Sequence, residues 1–311
     1  GSGTVTLLAI GPVMYPALVA AGYPRSFALG LLCAGGTLGI IIPPSIPLIL
    51  YGVMTQTSVT ELFIAGLGPG LLLVTLLVAY ALARHGRLRT GAWQWQEIAV
   101  ALKTGVWSLF MPVLILGGIY SGYFTATESA AVAVVYAVLV ETLIHRQLGL
   151  RDLYAVTGET VRLLGALFPV LMLALSLNVF LTYEQLPESL VREMSVWIDG
   201  PTTFLLLTNG LLLLVGCLVD IGSAILILAP LLQPLAVAQG VDAVHFGILM
   251  AVNLEIGYLT PPMGLNLVVA MIAFREDFWV ICRAVLPFIV ILFAGLMAVT
   301  FLPQLSLFLL R

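Results

Sequence analysis

The stretch Gly257-Tyr258-Leu259-Thr260-Pro261-Pro262-Met263-Gly264-Leu265-Asn266 interrupts a long apolar run in which a helix would otherwise continue. Proline lacks an N–H group and its ring clashes with the preceding turn, so the adjacent prolines break the helix near Thr260. In a bilayer, broken backbone is tolerated only where it is buried in protein or lines a watery cavity. The stretch therefore predicts a site where freed carbonyl oxygens, beside a threonine hydroxyl, hold a small cation.

A second copy of this stretch, Gly39-Ile40-Ile41-Ile42-Pro43-Pro44-Ser45, lies 218 residues earlier, which is the separation of Pro43 from Pro261. At this offset, five of the seven prolines among the first 70 residues fall on prolines, whereas random placement would give fewer than one. Residues 1–70 and 219–288 therefore form an internal repeat. Repeats of this kind are typical of secondary transporters.

The composition is that of a helical protein embedded in a membrane. Of the 311 residues, 61% are hydrophobic and 9% are charged, whereas soluble domains carry about 25% charged residues. Mean hydropathy is +1.15, and several apolar stretches reach the roughly 20 residues that cross a bilayer. The net charge of −3 comes without a basic patch that would indicate nucleic acid. The three cysteines stand apart in apolar runs, which favours neither disulfides nor a zinc site.

Each copy of the repeat predicts a short apolar arm, a loop, a broken helix and a long apolar helix. The arms are 4–20 and 222–238, the broken helices 26–55 and 244–273, and the long helices 60–83 and 277–305. Between the copies we predict three spans, 106–122, 125–145 and 163–183, and a run over 203–219 that forms a helical hairpin with 222–238. The predicted fold class is an all-α polytopic membrane protein with re-entrant helical hairpins and broken helices.

We divide the chain into four regions on this basis. They are a first repeat over 1–83, a cytoplasmic amphipathic connector over 84–105, intervening spans and connectors over 106–202, and a second repeat over 203–305. Further amphipathic segments are predicted over 147–160 and 186–198. The first repeat lacks the first arm of its hairpin, and the chain opens with neither an initiator Met nor a signal peptide. We therefore expect an N-terminal part of the protein to be absent.

Basic residues give the predicted orientation. Cytoplasmic placement of the loops after 83 and after 145 puts ten Lys and Arg residues inside and leaves two, Arg192 and Arg311, outside, as the positive-inside rule expects. In this arrangement 60–83 runs inward and 277–305 runs outward. The two copies are therefore predicted to be inverted relative to each other.

Two acidic residues at membrane depth are candidates for a role in binding. Asp220 lies at the predicted hairpin tip, and Glu255 precedes Thr260 by five residues. Each side chain is able to neutralise a cation or take a proton. The alternatives are that Asp220 caps a helix and that Glu255 is paired structurally or supports the site from behind.

The helix breaks predict oxygen and amide groups for both an ion and an anion. Unwound carbonyls, with the hydroxyls of Thr260 and Ser45, suit Na⁺, and glycines at 39, 216, 222 and 257 let backbones approach closely. Opposing half-helix N-termini direct partial positive charge toward an anionic substrate. Five polar residues are predicted to add hydrogen bonds to that substrate: Thr4, Thr6, Ser223, Asn253 and Asn266. The alternative is that both proline pairs are ordinary helix kinks, whose freed backbone groups are hydrogen-bonded to neighbouring helices.

Several motifs resemble one family, the large membrane subunit of TRAP transporters (the DctM-like permease). They are Gly39 to Ser45, Asp220 to Ser223, Gly240 to Gly247, Val252 to Asn266, and Gly117 to Val134. The resemblance covers essentially the whole chain and implies an elevator-type transporter of the bacterial inner membrane, driven by a Na⁺ gradient. It also implies two partners, a DctQ-like small membrane subunit and a periplasmic binding protein that delivers an organic acid. Large subunits of this family are longer, so the chain alone is not expected to transport.

The resemblance further implies two sodium sites, formed mostly by backbone carbonyls. The site of the second repeat would involve Gly216, Gly257, Thr260 and Met263, and its counterpart Gly39, Ile42, Ser45 and the hairpin residues Ser2 and Gly3. No other metal and no cofactor is expected. The alternative functions are a stand-alone symporter of the divalent-anion–sodium type and a membrane enzyme using Asp220 or Glu255. No H-E-x-x-H, G-x-S-x-G or P-loop lysine motif supports an enzyme.

Overall fold

The computed structural model describes residues 1–86, 94–185, 189 and 200–310, and the regular elements in these ranges are all helices. The helices are α1 (Gly3–Ala20), α2 (Arg25–Thr37), α3 (Ile46–Thr55), α4 (Val59–His85), α5 (Trp95–Tyr120), α6 (Ala126–Leu139), α7 (Leu150–Tyr183), α8 (Pro201–Gly216), α9 (Ile221–Ala238), α10 (Ala243–Gly257), α11 (Leu265–Phe274), α12 (Phe278–Phe301) and α13 (Gln304–Leu307). A π-helical turn, Val140–Ile144, continues α6. Seven of the described helices are long and apolar enough to cross a membrane. The predicted all-α polytopic class is confirmed.

The helix bounds follow the repeat seen in the sequence. Adding 218 to the ends of α1, residues 3 and 20, gives residues 221 and 238, which are the ends of α9. The same offset takes the start of α2 at Arg25 to the start of α10 at Ala243. Because prolines in equivalent places break the backbone in both copies, the two copies contain the same succession of arm, broken helix and long helix.

The larger of two compact units, Gly1–Thr90 with Leu175–Arg311, contains both repeats. Helices of one repeat pack on helices of the other in reciprocal pairs: α1 contacts α11 while α9 contacts α3, and α12 contacts α2 while α4 contacts α10. If the two repeats are exchanged, each of these contacts becomes the other member of its pair. This is what a two-fold relation between the repeats requires. At the centre lies α10, in which every residue from Val244 to Gly257 is buried.

The smaller unit, Gly91–Ala174, is built on the hairpin of α5 and α6. A capping box, in which Thr125 and Glu128 exchange hydrogen bonds, begins α6. The Ser129 hydroxyl donates to the Ile115 carbonyl at 3.1 Å, and the Tyr136 hydroxyl donates to the Trp107 carbonyl at 2.7 Å. These bonds join the two helices.

The amphipathic connectors differ from the prediction where they are described. Residues 95–105 form the first turns of α5, without a break before the span. The segment predicted over 147–160 likewise runs into α7 from Leu150 onward. No proline lies between 95 and 111 or between 150 and 168, so nothing stops these helices where polar residues give way to apolar ones. Residues 87–93 of the first connector lie outside the described residues, as does the segment predicted over 186–198 apart from Ser189.

Candidate functional site

Both proline pairs leave a gap between two half-helices. In the second repeat α10 ends at Gly257 and α11 begins at Leu265; in the first, α2 ends at Thr37 and α3 begins at Ile46. The Pro43–Pro44 and Pro261–Pro262 peptide bonds are both cis. Within the second gap, the Thr260 hydroxyl donates to the Ile256 carbonyl at 3.0 Å. That bond uses the hydroxyl hydrogen and leaves oxygen lone pairs available for a cation.

The tip of the α8–α9 hairpin is docked against the second gap. Gly216 and Gly257 touch so closely that a Cβ atom on Gly257 would lie 2.5 Å from the Gly216 carbonyl carbon. The Cys217 carbonyl accepts from the Met263 N–H at 3.3 Å and from the Gly264 N–H at 3.4 Å. The structure therefore brings together three members of the predicted sodium set, Gly216, Gly257 and Met263, with Thr260 in the same gap.

The start of α1 lies against the first gap in a corresponding way. A Cβ atom on Gly39 would clash with the hydroxyl oxygen of Thr6, and one on Gly3 would lie 3.3 Å from the Gly36 carbonyl oxygen. The Ser2 carbonyl accepts from both the N–H and the hydroxyl of Thr6, at 3.1 and 2.9 Å. Of the predicted counterpart set, Ser2, Gly3 and Gly39 thus lie at one contact between the arm and the gap.

Ser45 and Ile42 lie in the first gap in different settings. Ser45 is fully buried and begins α3, where its hydroxyl oxygen accepts from the Leu48 N–H at 3.4 Å. Ser45 therefore has a capping role whether or not it also binds an ion. The Ile42 side chain is exposed, so only its backbone is suited to the predicted role.

Among the predicted substrate residues, the structure joins Thr4 and Asn266. The Thr4 hydroxyl donates to the Asn266 side-chain oxygen at 3.2 Å. Asn266 is fully buried, and its side-chain nitrogen has no hydrogen-bond partner in the structure. Both residues lie in the first turns of helices, α1 and α11, whose N-termini have no side-chain cap. Two uncapped N-termini and an unused amide donor therefore meet at one point.

Asn253 lies in a different environment. Its side-chain nitrogen donates both hydrogens, to the Asn209 side-chain oxygen at 2.9 Å and to the Leu249 carbonyl at 2.8 Å. Asn209 in turn donates to the Thr300 hydroxyl at 2.9 Å. These bonds tie α8, α10 and α12 together within the core, so the donors of Asn253 are occupied and only its oxygen is free.

The two acidic candidates, Asp220 and Glu255, lie in different environments. Asp220 is exposed and caps α9, because its carboxylate accepts from the Ser223 N–H at 2.9 Å. The capping alternative raised from the sequence accounts for this contact. The Ser223 side chain is half-buried in the first turn of α9.

Glu255 is 1% exposed, and its carboxylate lies beside the Thr37 side chain. Its neighbour Thr37 uses its own hydroxyl hydrogen on the Ala34 carbonyl at 2.8 Å. The offset of 218 relates position 37 to position 255, so the two side chains meet where equivalent points of the repeats face each other. Glu255 therefore lies behind the gap, at the contact between the repeats.

Three residues that join these helices were not among the predicted site residues. The Tyr258 hydroxyl accepts from the Ile221 N–H at 2.8 Å and so fixes the start of α9 to the second gap. Asn209 and Thr300 form the chain of bonds that ends at Asn253. The presence of an asparagine within the apolar run of α8 was an available signal, since polar side chains within spans commonly join helices.

Cation ligands in the gaps would be uncharged. Among the described residues there is no group of three or more His, Cys, Asp or Glu side chains that could hold a metal ion. Carbonyl and hydroxyl oxygens line the gaps instead, and these are ligands that hard cations prefer. The gaps therefore offer ligands of the type that a hard cation prefers.

Comparison with known proteins gives a consistent result. The family model for the tripartite ATP-independent periplasmic transporter DctM component matches residues 1–305. The C4-dicarboxylate TRAP transporter large permease protein DctM of Pseudomonas aeruginosa is 41% identical over 313 residues, 99% of this chain and 73% of that protein.

Relatives with other cargoes are nearly as similar. The sialic acid TRAP transporter large permease protein SiaM of Vibrio cholerae is 37% identical over 315 residues, and the ectoine TRAP transporter large permease protein TeaC of Halomonas elongata is 34% identical over 313. Each match covers 99% of this chain and 73% of the relative. Overall similarity therefore indicates the kind of protein without distinguishing among cargoes.

Proposed function

The chain belongs to the DctM family of tripartite ATP-independent periplasmic transporters, and from that premise we propose that it is the large transmembrane subunit of a sodium-coupled importer of small organic acids. It is a multi-pass membrane protein of a transporter family and not an enzyme. The proposed setting is the bacterial inner membrane, with a DctQ-like small subunit and a periplasmic binding protein as partners. The binding protein would deliver the acid to the membrane subunits.

One observation supports this proposal above the others: the tip of the α8–α9 hairpin and the start of α1 lie against two symmetry-related helix breaks. The contact of Gly216 with Gly257 joins backbone to backbone, and that of Thr6 with Gly39 places a hydroxyl oxygen against the backbone of the first gap. An ion bound between two elements stabilises the arrangement in which both supply ligands, and shifts the equilibrium toward it by its differential affinity. Sodium binding at these gaps would in this way couple ion occupancy to the position of the hairpins.

The acid would be received where α1 meets α11. Helix N-termini attract anions because their first N–H groups are unsatisfied and the helix dipole is positive there. The uncapped starts of both helices, and the unused Asn266 amide beside Thr4, supply donors without a fixed positive charge. This donor set suits a carboxylate that must also be released.

Uptake into proteoliposomes tests the proposal. The large and small subunits would be reconstituted with the binding protein and offered labelled succinate, sialic acid or ectoine in separate assays. We expect uptake of at least one cargo under an inward Na⁺ gradient and loss of that uptake when K⁺ replaces Na⁺. Equal rates of uptake with Na⁺ and with K⁺ would contradict sodium coupling.

Two further arms of this assay separate the alternative functions. Uptake that persists without the binding protein would favour a stand-alone symporter of the divalent-anion–sodium type. Chemical analysis of the internal label addresses the enzyme alternative, and we expect the cargo to be recovered unchanged.

A further inference from the structure

A small basic cavity lies at one end of the larger unit, away from the two helix breaks. It has a volume of about 220 Å³ and lies between the starts of α2 and α12 and the end of α4. Arg84 and Arg283 give its lining positive charge, and Ser26, Tyr80 and His85 add further polar groups. The positive-inside rule places this end of the unit at the cytoplasmic surface. The cavity therefore lies where the headgroups of the inner leaflet would be.

The two arginines have no acidic partner in the described part of the chain. There, the pair of His145 and Glu141 is the one salt bridge within 4.0 Å. Arg84 and Arg283 are both exposed, so each guanidinium presents free donors toward the cavity mouth. Guanidinium groups are planar forks that match the oxygens of carboxylates and phosphates. The cavity thus has unused capacity for an anion.

Packed aromatic rings form the apolar floor of the cavity. The Phe27 and His85 rings lie 4.2 Å apart, and the Phe288 ring lies 5.6 Å from Phe27 and 5.3 Å from Tyr80. Phe27 and Phe288 are buried beneath the cationic rim. An occupant with a charged head and an apolar continuation would match this combination of rim and floor.

The repeat shows that the fold does not require these cations. The offset of 218 relates Arg84 to Leu302, His85 to Pro303 and Arg283 to Ala65. A cavity of about 360 Å³ at the corresponding end of the second repeat, near Asp242 and His245, has neither Arg nor Lys in its lining. The basic cavity is therefore a property of one end of the molecule and not of the repeated architecture.

We propose that the basic cavity binds a phosphate group, carried by an anionic phospholipid of the inner leaflet. Arg84 and Arg283 contact the phosphate oxygens, and the glycerol and upper acyl carbons rest on Phe27 and Phe288. Basic cavities between transmembrane helices on the cytoplasmic side are suited to anionic headgroups. A free phosphate ion offers the same oxygens, but it makes no use of the apolar floor.

Lipid retention by the purified complex tests this inference independently of transport. The complex would be purified in detergent with added phosphatidylglycerol or phosphatidylcholine, and bound lipid would be counted by native mass spectrometry. We expect retained phosphatidylglycerol to exceed phosphatidylcholine. In the variant Arg84→Gln/Arg283→Gln, the amount of retained phosphatidylglycerol should fall at least about tenfold, which corresponds to about 1.4 kcal/mol.

Arg275→Gln is the matched control, because Arg275 is an exposed arginine assigned to the same side that does not line the cavity. It should change retention less than twofold. Equal loss in the control, or no loss in the double variant, would overturn the proposal. If the double variant does not fold, retention of phosphatidylglycerol would be measured in the single variants Arg84→Gln and Arg283→Gln, since each changes an exposed residue.

Two further arms distinguish the source of the phosphate. Inorganic phosphate, followed by ³¹P resonance in lipid-free micelles, should bind weakly and with the same arginine dependence. Arginine-dependent binding of inorganic phosphate without retention of phosphatidylglycerol would overturn the lipid source. If neither probe binds in an arginine-dependent way, the phosphate site itself is overturned.

Discussion

Gly257 is in direct backbone contact with the tip of the α8–α9 hairpin. The atoms that a new Cβ would meet belong to the backbone of Gly216, with the carbonyl carbon at 2.5 Å and the Cα at 2.6 Å. Neither atom can rotate away, in contrast to a side chain. The absence of a side chain at Gly257 is therefore what allows the hairpin tip to reach the second gap.

We predict that Gly257→Ala separates the hairpin tip from the gap and lowers the melting temperature of the purified protein. Overpacking of this kind costs about 1–3 kcal/mol. The control is Gly210→Ala in α8, where a Cβ would meet nothing within 4 Å and alanine is a better helix former by about 1 kcal/mol. Equal melting temperatures for the two variants would show that the contact is dispensable.

The Thr260 hydroxyl leads to a second residue-scale prediction. Replacing Thr260 by Val keeps the shape but removes the oxygen, so we expect the Na⁺ concentration for half-maximal uptake to rise about tenfold, as loss of one ligand costing about 1.4 kcal/mol would produce. Thr260→Ser retains the hydroxyl and should remain within about twofold of wild type. An unchanged sodium requirement in Thr260→Val would remove this hydroxyl from the site.

Sequence reasoning worked at the residue scale where backbone chemistry dictates the outcome. Proline pairs break a helix by themselves, so the gap around Thr260 was predicted from the residues, whereas the grouping of Gly216 with Gly257 came from the family resemblance. Side-chain partners were not, because they depend on which helices become neighbours. Asn253 and Asn266 look alike in the sequence, yet one is bound within the core and the other has a free donor.

At the scale of elements, Tyr258 fixes the start of α9 to the broken helix. Its hydroxyl accepts from the Ile221 N–H at 2.8 Å, and Ile221 is the first residue of α9. Because that N–H is buried, loss of the acceptor would leave it without a partner, which costs about 1–3 kcal/mol. The hairpin tip thus depends on one side-chain contact in addition to its glycine contact.

We therefore predict that Tyr258→Phe increases hydrogen exchange at the hairpin tip, residues 217–224, while α12 keeps its protection. The equilibrium for local opening should shift by roughly five- to a hundredfold, corresponding to the same 1–3 kcal/mol. The control, Tyr123→Phe, alters an exposed tyrosine of the smaller unit. If exchange at the tip is the same in both variants, Tyr258 does not hold it.

The order of elements followed from the sequence because proline and hydropathy act locally. The paired arms, breaks and long helices were predicted within a few residues of their bounds. The continuation of α5 and α7 through their polar first turns was not predicted. A helix continues until a helix-breaking residue or a capping motif ends it. A change from apolar to polar side chains shows where the helix leaves the membrane, but it does not end the helix.

At the scale of the whole molecule, the repeat accounts for the arrangement of both gaps. Reciprocal contacts between α1 and α11 and between α9 and α3 place each arm on the half-helix that follows the opposite break. Glu255 and Thr37, at equivalent positions, meet between the breaks. Direct contacts between the repeats therefore connect the two gaps.

The central claim, that the two gaps bind sodium, is tested most directly by measuring ²²Na⁺ bound to the purified protein. We predict saturable binding that unlabelled Na⁺ displaces and K⁺ does not. At a Na⁺ concentration near the wild-type half-saturation point, Thr260→Val and Ser45→Ala should each lower bound sodium by roughly 40%, as a tenfold loss of affinity at one of two sites predicts. The double variant should lower it by roughly 80%, while Gly210→Ala retains the full amount. Absence of saturable binding in the wild type, or full binding in the double variant, would contradict the account.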